Sequence, residues 1–180
     1  MMHFKVVKFD INHKNEWDTL AELNWGEHTD SDNEIKNNFF ATPDYVVEAR
    51  SNNDLVGIIL LDLREVVIGS HTLNAGMIGG VVVKIEHRHQ GIAHQMLVEA
   101  INFLKSRNVD LALLCTDVKR LGELYHKAGF SPLKKPYVYT DNTGAICTEA
   151  GGMVRVINTD SQILTKMIEH DEINIGLSNF

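Results

Sequence analysis

Two cysteines, Cys115 and Cys147, in 180 residues are too few for a disulfide framework, and three prolines exclude a collagenous or proline-rich chain. Long apolar runs are missing as well: no stretch of about 18 uncharged apolar residues is present, so no segment reads as a membrane-spanning helix. The opening residues lead into alternation instead of a charged and then apolar leader, and the expectation is a cytoplasmic protein. Positive charge is in deficit. Seventeen Lys and Arg against 24 Asp and Glu give a net charge of -7, which argues against a nucleic-acid backbone as partner and suits a cationic small molecule.

What is present is an ordinary globular composition, 44% hydrophobic and 23% charged. A chain of this length buries roughly 70% of the surface its unfolded form exposes and needs no metal or disulfide to fold. No repeat and no Pro/Gly/Ser-rich linker divides it, so one domain over residues 1–180 is expected.

Residues 3–9, rich in Val and Phe, read as a first strand, followed by a helix on the spacing of Trp17, Leu20, Ala21 and Leu23 to Trp25. A short helix is expected over 31–40, before Pro43. Residues 45–51 and 55–63, separated by Asn52-Asn53-Asp54, form a hairpin pattern. The second of these runs is apolar at nearly every position, which predicts a central strand covered on both faces. A strand over 77–85 then enters the polar turn Glu86-His87-Arg88-His89-Gln90-Gly91, after which Ala93, Met96, Leu97, Ala100, Ile101 and Leu104 recur at helical spacing. Further strands are expected over 109–115, 137–140 and 153–157. A short helix on Leu121, Leu124, Tyr125 and Ala128 closes at Gly129, and a C-terminal helix covers 161–170. The pattern is a mixed α/β sheet with helices on both faces.

The chemistry concentrates at Arg88 to Ala93. A strand ending in a glycine turn that opens a helix leaves backbone N–H groups and the positive end of the helix dipole facing outward, an arrangement that suits a pyrophosphate. Neither a Walker sequence nor Gly-x-Gly-x-x-Gly follows any strand, so ATP and dinucleotides are not the expected ligands.

Arg88-x-x-Gly91-x-Ala93 after Val81-Val82-Val83 resembles the Arg/Gln-x-x-Gly-x-Gly/Ala signature of the GNAT (GCN5-related) N-acetyltransferases. Leu124-Tyr125-His126-Lys127-Ala128-Gly129-Phe130 resembles the family's second landmark, a helix carrying a tyrosine and ending in Gly-Phe. The resemblance spans about residues 45–157. It implies the GNAT fold, a mixed and mostly antiparallel central sheet with a splayed parallel pair, and acetyl-coenzyme A as acetyl donor without a metal. It also implies direct attack of a primary amine on the thioester. Cofactor contacts are then expected from Val81, Val82, Val83, Arg88, His89, Gln90, Gly91, Ile92 and Ala93, the valines through their main chain, with Tyr125 as general acid to the leaving thiolate.

Within the family, residues 74–83, 111–117 and 142–154 are similar to the aminoglycoside 2'-N-acetyltransferases. Those enzymes carry an acidic residue where this chain has Gly79, and an acidic run where it has Cys147-Thr148-Glu149-Ala150-Gly151-Gly152, with fewer carboxylates. The reaction therefore carries over and the drug does not. The acceptor expected is a small cationic amine, with protein or polyamine acetylation and a non-catalytic acyl-coenzyme A sensor as alternatives, and a homodimer through residues 153–180 is open. No residue stands out as base: Glu48, Asp141 and Glu149 read as exposed carboxylates, Cys115 as a buried structural thiol, and His87, His89, His94 and His126 as surface histidines without a zinc pattern.

Overall fold

The computed structural model describes residues 1–25, 41–158 and 161–180, in which the alternating segments assemble into one ten-stranded sheet. The helix expected over 31–40 lies outside the described residues. In chain order the elements are β1 (Met2–Lys8), α1 (Lys14–Trp25), β2 (Tyr45–Ser51), β3 (Asp54–Ile68), β4 (His71–Val83), α2 (Ile92–Ser106), β5 (Leu111–Cys115) and α3 (Val118–Lys127). They continue with β6 (Ser131–Pro132), β7 (Tyr137–Thr140), β8 (Ile146–Glu149), β9 (Gly152–Val156), α4 (Ser161–His170) and β10 (Ile173–Leu177).

The strands lie in the order β6-β9-β5-β4-β3-β10-β7-β8, with β2 and then β1 continuing from the first half of β3. Only β4 with β5 and β10 with β7 are parallel, so the sheet is mixed and mostly antiparallel. This is the α/β architecture expected from the GNAT resemblance. β3 and β4 are longer than the apolar runs suggested. Val66 and Ile68 stay buried on alternate positions, and Gly69, at φ +59, turns the chain into His71.

Successive residues of β5 divide the core. Ala112 and Leu114 join Met96, Leu97, Ala100, Ile101 and Leu104 of α2 on one face, while Leu111 and Leu113 join Leu164 and Ile168 of α4 on the other. On that second face α1 places Trp17 and Leu20 against Val46, Leu55, Ile58 and Val82. No described helix is long and apolar enough to cross a membrane.

The parallel pairing of β4 with β5 is short. It runs from Ala75 opposite Leu111 to Ile78 opposite Leu114, and β4 then continues to Val83 paired only with β3. The two strands part where β4 carries an extra residue against β3, between the Ile58–Val82 and Leu60–Gly79 pairs. Gly80 adopts φ +55 there, and a Cβ would lie 2.8 Å from Leu60 Cδ1, so the bulge requires glycine on both counts.

Glu48 corrects an expectation. It is not an exposed carboxylate but 3% exposed, beneath α1. Trp17 Nε1 donates to it at 3.0 Å and Arg50 Nε at 2.9 Å, and Lys5 Nζ lies at 3.1 Å. Arg50 reaches on to Glu16 of α1 at 2.7 Å. Burial alone would raise the pKa of Glu48, but the hydrogen bonds from Arg50, Trp17 and Lys5 outweigh it and hold the carboxyl at about 2. A carboxylate so engaged is a structural anchor for α1 on β1 and β2, and no base. Because its folded value lies below the usual 4.5, its stabilising effect is complete above pH 4.5 and fades as pH falls toward 2. Glu48→Gln is expected to cost about 3 kcal/mol at pH 7 in denaturant unfolding and to flatten stability between pH 4.5 and 2.

Candidate functional site

The turn after β4 is shaped by its backbone. Arg88 is extended, His89 is held at φ +60 and Gly91 at φ +79, and Gly91 caps α2 with no side-chain acceptor. The first N–H groups of α2, from Ile92, Ala93 and His94, have no carbonyl one turn back to accept them, so they present a cluster of donors at the positive end of the helix. Arg88 Nε donates to Val83 O at 3.1 Å and ties the turn to the end of β4. Arg88, His89, Gln90 and Gly91 are exposed, and a Cβ at Gly91 would meet nothing within 4 Å. A side chain there would fill open space directly before the donor cluster. Ile92 is buried and offers only its main chain, while Ala93 is half-buried.

Val82 and Val83 are core residues as expected, packed on opposite faces, and Val81 is half-buried. Beyond Ile78 the outer edge of β4 has no strand partner among the described residues, so main-chain groups of residues 79–83 face the gap left by β5. One end of this gap points at the Arg88–Ala93 turn. The other holds the end of β5, where Thr116 follows Cys115.

Tyr125 arrives at that end from α3. Asp117 caps this helix by accepting from Lys119 and Arg120 N–H, and Gly129, at φ +82, ends it. Tyr125 is 5% exposed, set edge-on to Phe130, and its hydroxyl shares a hydrogen bond with the Thr116 side chain. Burial raises its pKa above 10 despite that bond, so the phenol keeps its proton in neutral solution. Thr116 carried no signal in the sequence, because only the fold carries it to the phenol.

The other candidates separate. Asp141 is buried, not exposed: its Oδ1 accepts from Thr143 N, Thr143 Oγ1 and Ala145 N in the β7–β8 turn. Glu149 is half-buried and lies near Cys115 and Tyr137. Cys115 is half-buried instead of fully buried, its Sγ donates to Ala150 O at 3.3 Å, and burial pushes its thiol up, so it is a protonated thiol and a poor nucleophile. His94 is half-buried, and its Nδ1 is fully enclosed without a hydrogen-bond partner in the first turn of α2.

Residues 13–133 match the acetyltransferase (GNAT) domain family, and the chain belongs to it. It is accordingly an acetyl-coenzyme A-dependent N-acetyltransferase. No curated protein matches the chain significantly. Among solved structures it is similar to the ribosomal-protein-S18-alanine N-acetyltransferase of Escherichia coli, with TM-score 0.60 and 13% identity over 87% of this chain and 96% of that one. A GNAT family N-acetyltransferase from Escherichia coli in complex with CoA matches with TM-score 0.62 and 15% identity, covering 97% and 91%. A GCN5-related N-acetyltransferase from Anabaena variabilis matches at TM-score 0.60 and 17% identity over 76% of this chain, which spans only 34% of that protein's length.

The donor cluster and the open space at Gly91 both fit a phosphate-bearing group at the start of α2. Gly91→Val forces a β-branched side chain to φ +79, at a cost of about 2 kcal/mol in stability. It is expected to weaken acetyl-coenzyme A binding at least about tenfold in calorimetry; unchanged affinity would place the phosphates elsewhere.

Proposed function

We propose that this enzyme transfers the acetyl group of acetyl-coenzyme A to a primary amine of a small cationic molecule by direct attack, with Tyr125 as general acid. The observation that carries the reading is the parting of β4 and β5 beyond the Ile78–Leu114 pair, with the Arg88–Ala93 turn following the free end of β4 and the Tyr125 hydroxyl bonded to Thr116 just past the end of β5. Bound acetyl-coenzyme A supplies an activated acyl group as a thioester. The N–H groups of Ile92 and Ala93, with Arg88 beside them, bind its pyrophosphate. Main-chain N–H groups of Val81–Val83 polarise the carbonyl oxygen as charge builds on it. The neutral amine forms its N–C bond as the C–S bond breaks; the amine proton passes to water, and Tyr125 gives its proton to the departing sulfur. The protonated Cys115 leaves no ready alternative nucleophile.

Support for a cationic acceptor comes from the net charge of -7 and from the partial likeness of residues 74–83, 111–117 and 142–154 to the aminoglycoside 2'-N-acetyltransferases. The structural likeness to an enzyme named for ribosomal-protein-S18 alanine makes peptide amines the competing class. Thiol release with aminoglycosides, polyamines and peptides as acceptors separates the two, and turnover on peptides alone would overturn the small-molecule reading. Binding without turnover on any amine would leave a sensor in place of an enzyme.

Tyr125→Phe is expected to lower kcat at least about 100-fold with acetyl-coenzyme A affinity unchanged. Because burial raises the phenol's pKa above its ordinary value, the alkaline decline in kcat that its ionisation causes should fall at higher pH than for an exposed tyrosine. Unchanged kcat would remove Tyr125 from the mechanism.

A further inference from the structure

Phe180 packs against the apolar clusters on both faces of the sheet, although these clusters are separated by the strands themselves. A side chain reaches both only where the sheet is open, and the opening is the gap between β4 and β5. Its main chain confirms the place: a Cβ added to Gly79, the residue at which the strands part, would lie 3.3 Å from the Phe180 carbonyl carbon. Phe180 therefore stands in the gap with its main chain on the α4 face, beside Gly79, and it also packs against the cluster on the α2 face that contains Tyr125.

The segment 178–180 is held there by unusually many polar contacts. Arg64 of β3, its side chain 13% exposed, donates through Nη1 to Leu177 O and Ser178 O at 2.9 Å and to Ile175 O at 3.2 Å, and it pairs with Asp62. Ser178 N donates to Thr140 O at 2.8 Å, and Ala41 N to Asn179 O at 2.8 Å. Asn179 is buried, and its Oδ1 accepts from the Tyr137 hydroxyl at 2.9 Å and from Phe180 N at 3.0 Å. The Tyr137 ring stacks on Phe180 with centroids 5.8 Å apart. Together these contacts fix the path of the 178–180 segment, and the Tyr137 stack fixes the Phe180 ring. Their number exceeds what a frayed strand end needs.

We infer that Phe180 is a specificity-determining residue for the amine acceptor. Among the described residues it stands on the α4 side of the gap, so that an acceptor approaching the thioester from that side passes its ring, while the donor's phosphates bind at the start of α2 and do not depend on it. Arg64 is a positioning residue that acts through the 178–180 segment. The inference rests on the proposed transferase reading.

The test is the purified full chain with Phe180→Ala, Phe180→Leu and Gly79→Val, assayed against primary amines of graded bulk, with acetyl-coenzyme A affinity measured by calorimetry. Phe180→Ala is expected to shift the ratio of kcat/KM between a bulky and a slender amine at least tenfold toward the bulky one, with acetyl-coenzyme A affinity changed less than twofold. Phe180→Leu keeps an apolar side chain and should shift it in the same direction by less, which preserves the test if the alanine variant unfolds. Gly79→Val pushes the Phe180 main chain aside and should alter acceptor KM more than donor affinity. Equal effects on donor and acceptor, or an unchanged ratio in an active enzyme, overturn the inference and leave the transferase reading standing. A wild-type chain that neither binds acetyl-coenzyme A nor acetylates any amine overturns both.

Discussion

The early end of the β4–β5 pairing is the constraint on which the rest of the site depends. Two parallel strands share hydrogen bonds for four residue pairs, from Ala75–Leu111 to Ile78–Leu114, and then separate because β4 bulges toward β3 at Gly80. A sheet that stayed closed would bury the main-chain groups of residues 79–83 in a ladder and leave no room for a substrate. The bulge exchanges a few ladder bonds for an exposed backbone edge. The apolar faces of α2 and α4 hold the surrounding strands rigid enough for that edge to persist.

Much of the site could be read from local sequence, because its parts are local. The turn at Arg88–Gly91 needs a glycine at positive φ, and the start of α2 needs only the change from strand to helical spacing at Ile92. Tyr125 lies on a helix whose cap and stop, Asp117 and Gly129, are both within one short stretch. These are signals spanning a dozen residues: the turn follows the free end of β4, and the Tyr125 hydroxyl meets Thr116 just past the end of β5. The burial of Glu48 was not legible in this way. Its partners Lys5, Trp17 and Arg50 come from β1, α1 and its own strand, and a carboxylate in a strand reads as exposed until the partners that offset its desolvation are known. Asp141 was misread for a related reason, since its acceptor role depends on the exact path of the β7–β8 turn.

β10 was illegible for a different reason. Ile173–Leu177 alternates apolar with polar or small residues, but over only five positions directly after a helix, and its place comes from lying between β3, a hundred residues earlier, and β7. Non-local pairing leaves no local trace. The same holds for Arg64, whose hydrogen bonds reach carbonyls 111 to 114 residues away. Thus the cofactor side of the gap is encoded in contiguous motifs, and the opposite side is encoded in long-range contacts.

The close approach of Gly79 to the Phe180 main chain carries an evolutionary consequence. The two positions are coupled: a side chain at Gly79 would lie 3.3 Å from the Phe180 main chain, so residues 178–180 would have to shift by a few tenths of an ångström to admit it. Substitution at one site therefore changes what is tolerated at the other.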